Sequence, residues 1–171
     1  MADAKDRPTT DPARRLVDAF RWLDPGPYAT HLVSDVSGWW RDPDILAGLG
    51  PALAALCPDV PGGPTLVVGP ETSGFIVGPL VATALGTGFA PAYKRAPRGE
   101  LVVVTDRLRP GDRVLVADDW VETGGQVAAL RHQVRSAGAA YLGTVAVVDA
   151  TTDQLRADLR IRALLRRADL D

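Results

Sequence analysis

An apolar run from Arg113 to Ala117 leads directly into two adjacent carboxylates, Asp118-Asp119, and soon afterwards into Thr123-Gly124-Gly125. The helical pattern that follows places Val127, Leu130, Val134 and Ala137 on one face, with Gly138 positioned to cap it. This is a buried strand, a glycine-rich turn and a helix. The same order occurs upstream. Thr65 to Val68 reads as a strand, Gly69-Pro70-Glu71-Thr72-Ser73-Gly74 as a loop, and the stretch up to Gly86 as a helix. Phe89 to Tyr93, Leu101 to Thr105 and Tyr141 to Val148 read as further strands, Arg109 to Asp112 as a turn, and Arg156 to Arg167 as a basic C-terminal helix. Strands alternating with helices predict an α/β fold, a mostly parallel sheet with helices on both faces. Ligands of such sheets bind beyond the carboxyl ends of the strands, where both glycine-rich loops belong.

The N-terminal part is less patterned. Residues 1–10 are polar and are expected to be flexible. Asp11-Pro12 reads as a helix start, with Leu16, Phe20 and Leu23 at helical spacing before Asp24-Pro25-Gly26-Pro27 ends the element. Pro43 to Leu56 forms a second helical pattern. No repeat or long linker interrupts the 171 residues, so one domain spanning 1–171 is expected. A net charge of −2 supplies no global field for nucleic acid or anionic membrane, so phosphate affinity must be local. The N-terminus lacks the apolar core of a signal peptide, and no apolar run reaches the roughly 18 residues of a membrane span. A cytoplasmic location is therefore expected. The lone Cys57 reads as a small buried thiol, and His31 and His132 lack metal-ligand spacing.

In Val114 to Gln126 each residue type has a chemical use. Adjacent carboxylates at a strand end accept hydrogen bonds from vicinal sugar hydroxyls. Thr123, Gly124, Gly125 and Gln126 open a helix whose free N–H groups and dipole favour an anion. The glycines let a phosphate approach the backbone closely. Diol recognition followed by phosphate recognition describes a sugar phosphate.

This segment resembles the 5-phosphoribosyl-1-diphosphate (PRPP) signature of type I phosphoribosyltransferases: four hydrophobic residues, two acids, a short variable stretch and Thr-Gly-Gly-Thr. Elsewhere the chain is similar to adenine phosphoribosyltransferases. Gly69 to Leu80 parallels their pyrophosphate loop, Gly88 to Lys94 their Gly-Phe-Val-Pro-Val-Arg-Lys run, and Ser34-Asp35-Val36 their Arg-Asp-Ile near the base. The resemblance, covering roughly residues 28–148, implies a PRPP-dependent transfer of ribose 5-phosphate to a purine-like base with release of pyrophosphate. It implies Mg2+ brought in with PRPP rather than held directly by the protein, a homodimer, and a small base or nucleotide as the other ligand. By the same resemblance Asp118 and Asp119 would hold the ribose hydroxyls, and Thr123 to Gln126 the 5-phosphate. Glu71, Thr72, Ser73, Gly74 and Lys94 would take the pyrophosphate, and Val33, Ser34 and Trp120 would lie near the base.

The chain departs from the family pattern at several positions. Gln126 stands where the signature has Thr. Ser73 and Tyr93 replace arginines, and Val33 and Ser34 replace Phe and Arg. The hood between Lys94 and Leu101 is much shorter. Glu122, immediately before Thr-Gly, matches the acid that hypoxanthine-guanine phosphoribosyltransferases have there, and is the candidate general acid or base. Lys94, Arg95 and Arg98 form a basic cluster suited to departing pyrophosphate or to a solvated surface. Trp39 and Trp40 read as packing residues. The alternative on the same fold is a non-catalytic PRPP or nucleotide sensor. A nucleotide hydrolase is disfavoured, since no Gly-Lys-[Ser/Thr] loop is present.

Overall fold

The computed structural model describes residues 11–27, 32–95, 100–103 and 107–171. Residues 1–10, His31, Arg98 and Thr105, named above, lie outside them. The chain forms two compact units, one running to Gly48 and including Leu170, the other containing Leu49 to Asp169 and Asp171.

In the first unit, α1 (Pro12–Ala19) begins where Asp11 accepts the Ala13 N–H at 3.0 Å. It ends before Leu23, because Phe20 is extended and the chain enters β1 (Arg21–Leu23). This strand pairs antiparallel with β2 (Val33–Asp35). The helical spacing of Leu23 is thus a coincidence of pattern, and its side chain is exposed. The short helix α2 (Ser37–Arg41) buries Trp39 completely, with its indole N–H donating to the Leu16 carbonyl at 2.9 Å. Trp40 packs edge-on against it.

Helix α3 (Pro43–Ala54) precedes the second unit's sheet: β3 (Leu66–Pro70), β4 (Gly88–Arg95), β5 (Glu100–Val103), β6 (Arg113–Val121), β7 (Ala140–Asp149) and β8 (Ile161–Arg166). Their order is β5-β4-β3-β6-β7-β8; only the β4–β5 pair is antiparallel. Helix α4 (Gly74–Leu85) connects β3 to β4, and α5 (Gly125–Ser136) connects β6 to β7. These crossovers leave the central β3–β6 pair in opposite directions, so right-handedness puts the helices on opposite faces. Alternation along the strands agrees. Val68, Val114 and Val116 pack with Val127, Leu130 and Val134 of α5, whereas the Phe89 ring lies over Gly78 of α4. Gly86 and Gly138 close the helices in the left-handed region, as the sequence predicts.

The C-terminal helix expected over Arg156–Arg167 is corrected. Only α6 (Asp153–Asp158) is helical; Ile161–Arg166 forms β8, parallel to β7. Ile161 and Leu165 are buried there, and β7 supplies the missing hydrogen bonds. Cys57 is only half-buried, and partial burial pushes its thiol pKa up. His132 is exposed. Tyr141, on β7, is buried: its hydroxyl lies 2.8 Å from Thr144 Oγ1 and donates to the Leu159 carbonyl at 2.5 Å. Tyr141→Phe strands that carbonyl and is expected to cost about 1–2 kcal/mol in urea unfolding. No helix among the described residues is long and apolar enough to cross a membrane.

Candidate functional site

The two glycine-rich loops leave the carboxyl ends of β3 and β6, which are neighbours in the sheet. Since the crossovers diverge between these strands, both loops border the crevice at the topological switch point.

β6 extends beyond its predicted end at Ala117, so the acid pair belongs to the strand. Asp118 is 7% exposed, and its carboxylate accepts the Asp119 N–H at 2.9 Å. Burial, and then the neighbouring charge of Asp119, push the Asp118 pKa well above the usual carboxylate range. Lys94, at the far end of β4, acts on Asp118 in the opposite sense, which brings its ammonium into the field of the acid pair.

Gly124 caps α5 with φ at 75°, and no side chain caps the helix. The Gly125 N–H donates to Thr123 Oγ1 at a long 3.4 Å. The first-turn N–H groups of α5 are therefore available to an anion. A pocket of about 90 Å³ opens over them, lined by Asp118, Trp120 and Glu122 to Gln126 among others. Glu122 and Gln126 are exposed. Half-buried Trp120 donates its indole N–H to the Glu122 carboxylate, a contact the sequence did not suggest.

On the β3 side, Glu71 turns inward along the sheet: its carboxylate accepts the Lys94 N–H at 2.7 Å, and its own N–H donates to Ala92 at 2.8 Å. Glu71 thereby ties the loop to β4, a role its acidic character alone does not reveal. Thr72 is exposed, and Ser73 begins α4 without making a cap hydrogen bond. Gly69 and Gly74 pass so closely that a Cβ on Gly69 would lie 2.2 Å from the Gly74 carbonyl oxygen. Tyr93 is exposed and meets Phe75 edge-on at 5.3 Å. Lys94 and Arg95 are exposed on β4. The structure thus brings Asp118 to Gln126, Glu71 to Gly74 and Lys94 to one sheet edge. Val33 and Ser34 are exposed on β2 of the first unit.

A doubly wound sheet with two glycine-rich strand-to-helix loops at its switch point defines an α/β domain of the class that binds ligands at that edge. The phosphoribosyl transferase domain family matches residues 42–164. An adenine phosphoribosyltransferase of Streptomyces clavuligerus is 32% identical over 149 residues, 78% of this chain and 83% of the relative. One from Oenococcus oeni is 36% identical over 125 residues, 61% of this chain and 71% of the relative. The solved adenine phosphoribosyltransferase of Saccharomyces cerevisiae superposes with a TM-score of 0.74 at 28% identity, over 90% of this chain and 98% of that one. The chain belongs to the phosphoribosyltransferase family and has its type I fold.

Proposed function

We propose that this phosphoribosyltransferase transfers ribose 5-phosphate from PRPP to a purine base of the adenine class, releasing pyrophosphate, with residues 1–171 acting as one functional domain. The observation supporting this reading is the adjacency of β3 and β6 at the switch point, one strand ending in the acid pair and the other in a loop tied to the Lys94 N–H through Glu71. The names of the relatives support adenine as the first acceptor to test.

In this reading Asp118 and Asp119 accept hydrogen bonds from the ribose hydroxyls, and the N–H groups of Thr123 to Gln126 hold the 5-phosphate. Thr72, Ser73 and Gly74 face the pyrophosphate, with Lys94 supplying positive charge as it departs. Glu71 fixes the loop's position from behind. Val33, Ser34 and Trp120 are assigned to the base.

Among the described residues no group of three or more His, Cys, Asp or Glu could hold a metal. Mg2+ is assigned to PRPP itself, held by ligand oxygens and water rather than directly by the protein. When bound with PRPP, Mg2+ neutralises developing diphosphate charge. Bond breaking leaves positive charge on the ribose ring, so water must be kept out. A homodimer in the cytoplasm completes the proposal.

Glu122 is assigned the proton held at the attacking nitrogen, with the Trp120 indole N–H orienting its carboxylate. Pyrophosphate release, measured with PRPP across a panel of bases, tests the assignment. Adenine is expected to give turnover. Glu122→Gln is expected to lower kcat by about 10²-fold with PRPP affinity unchanged. Unchanged turnover in that variant removes Glu122 from the chemistry, and release with no base of the panel contradicts the transferase reading.

A further inference from the structure

The floor beneath the phosphate loop hangs from one buried carboxylate that no role assigned so far uses. Asp149, the last residue of β7, is 1% exposed. Its Oδ1 accepts the Thr151 N–H at 2.8 Å and the Thr151 hydroxyl at 2.6 Å. Its Oδ2 accepts the Arg156 Nε–H at 2.8 Å and a guanidinium N–H of Arg166. A second Arg166 N–H donates to the Thr151 carbonyl at 2.8 Å. Thr151 is therefore held by its amide, its hydroxyl and its carbonyl. Arg156, which also reaches Asp153 at 2.6 Å, fastens α6 to the same carboxylate.

These residues touch the loop directly. Register pairs Val121 with Asp149, and the Ala150 N–H donates to the Val121 carbonyl at 2.9 Å, at the point where β6 gives way to the loop. Gly124, at φ 75°, has no room for a side chain beside Leu159. The position of a Cβ there is 2.8 Å from Leu159 Cδ1 and 3.9 Å from Thr151 Cγ2. Thr151 hangs from Asp149 directly, and Leu159 follows α6, which Arg156 fastens to it. The carboxylate is buried, while Arg156 and Arg166 reach it from the surface with 35% and 37% of their side chains exposed.

We propose that Asp149, with Thr151, Arg156 and Arg166, is a positioning cluster that sets the place of the Gly124–Gly125 N–H donors and so the affinity for the 5-phosphate group. This rests on the proposed assignment of Thr123 to Gln126 to that phosphate. The cluster touches no reacting atom. It acts on phosphate affinity and leaves the pyrophosphate loop of β3 alone.

The test is titration of the intact protein with ribose 5-phosphate and, separately, with magnesium pyrophosphate. Thr151→Val keeps the branched shape but loses the hydroxyl, Thr151→Ser retains the hydroxyl, and Arg166→Met removes the guanidinium contacts to Asp149, Thr151 and Asp153. For folded Thr151→Val and Arg166→Met, ribose 5-phosphate affinity is expected to fall about tenfold, with pyrophosphate affinity unchanged and Thr151→Ser close to wild type. Turnover should show the same split, a raised KM for PRPP at nearly constant kcat. Equal ribose 5-phosphate affinity in wild type and Thr151→Val overturns the positioning role while leaving the function standing. A parallel loss for both ligands makes the cluster merely structural and overturns it too. Failure of the wild type to bind either ribose 5-phosphate or Mg-PRPP removes the underlying assignment itself.

Discussion

Asp118→Asn is expected to make the ligand-free protein more stable at neutral pH while removing PRPP binding. Asp118 is 7% exposed, and burial, followed by the charge of Asp119, raises its pKa well above the usual carboxylate range. A carboxyl whose pKa is higher in the folded than in the unfolded state binds its proton more tightly when folded. Its contribution to stability is full below the unfolded pKa and is lost as pH rises through the folded value. At neutral pH the wild type therefore bears the cost of holding that charge, or of protonating it. Asparagine keeps the shape and can still accept the Asp119 N–H. The melting temperature of Asp118→Asn should exceed that of wild type near pH 7, by about 2–4 °C for each kcal/mol relieved, and the difference should vanish toward pH 4. Thermal melts across that range decide the matter. A variant less stable than wild type at neutral pH, or one whose gain ignores pH, contradicts the account. The pairing of a stability cost with a ligand contact is expected where carboxylates are kept for chemistry rather than for folding.

Gly69→Ala has the second large effect, for a steric reason. Its Cβ would lie 2.2 Å from the Gly74 carbonyl oxygen and 2.8 Å from the Gly74 carbonyl carbon, both backbone atoms that no rotamer change can move away. The turn from β3 into α4 must open, which shifts Thr72 and Ser73 and loosens the Glu71 tie to β4. A loss of about 3 kcal/mol in denaturant unfolding is expected, with pyrophosphate affinity lowered at least tenfold in the folded fraction. Gly86→Ala is the control. It has a positive φ of 66°, nothing within 4 Å of its Cβ position, and caps α4 away from the loop, so its substitution should show only the cost of the left-handed backbone, about 1 kcal/mol, and leave affinity intact. Equal effects of the two substitutions would remove the steric argument.

The site was more legible in the sequence than the periphery of the fold, for local reasons. Strand, glycine-rich loop and helix follow one another within Val114 to Val134, and again within Leu66 to Leu85, so periodicity and turn chemistry agree without distant partners. Ile161 to Arg166 is different. Leu159, Ile161, Leu164 and Leu165 fit a helical stripe as well as an edge strand, and only pairing with β7, remote in sequence, decides for the strand. Leu23 was misplaced for the same reason, since β1 exists through its pairing with β2. Single side chains were the least legible. Nothing in the spacing indicates that Glu71 bonds along the sheet to Lys94, that Trp120 reaches Glu122, or that Asp149 gathers two arginines. These contacts depend on which strands become neighbours, and composition leaves that open.

Calorimetric titration with Mg-PRPP, of wild type beside the Asp118→Asn/Asp119→Asn double variant, tests the central claim most directly. The account predicts saturable binding at one site per chain in the wild type and none in a folded double variant. A wild type that does not bind Mg-PRPP, or a double variant that binds it equally well, would contradict the account.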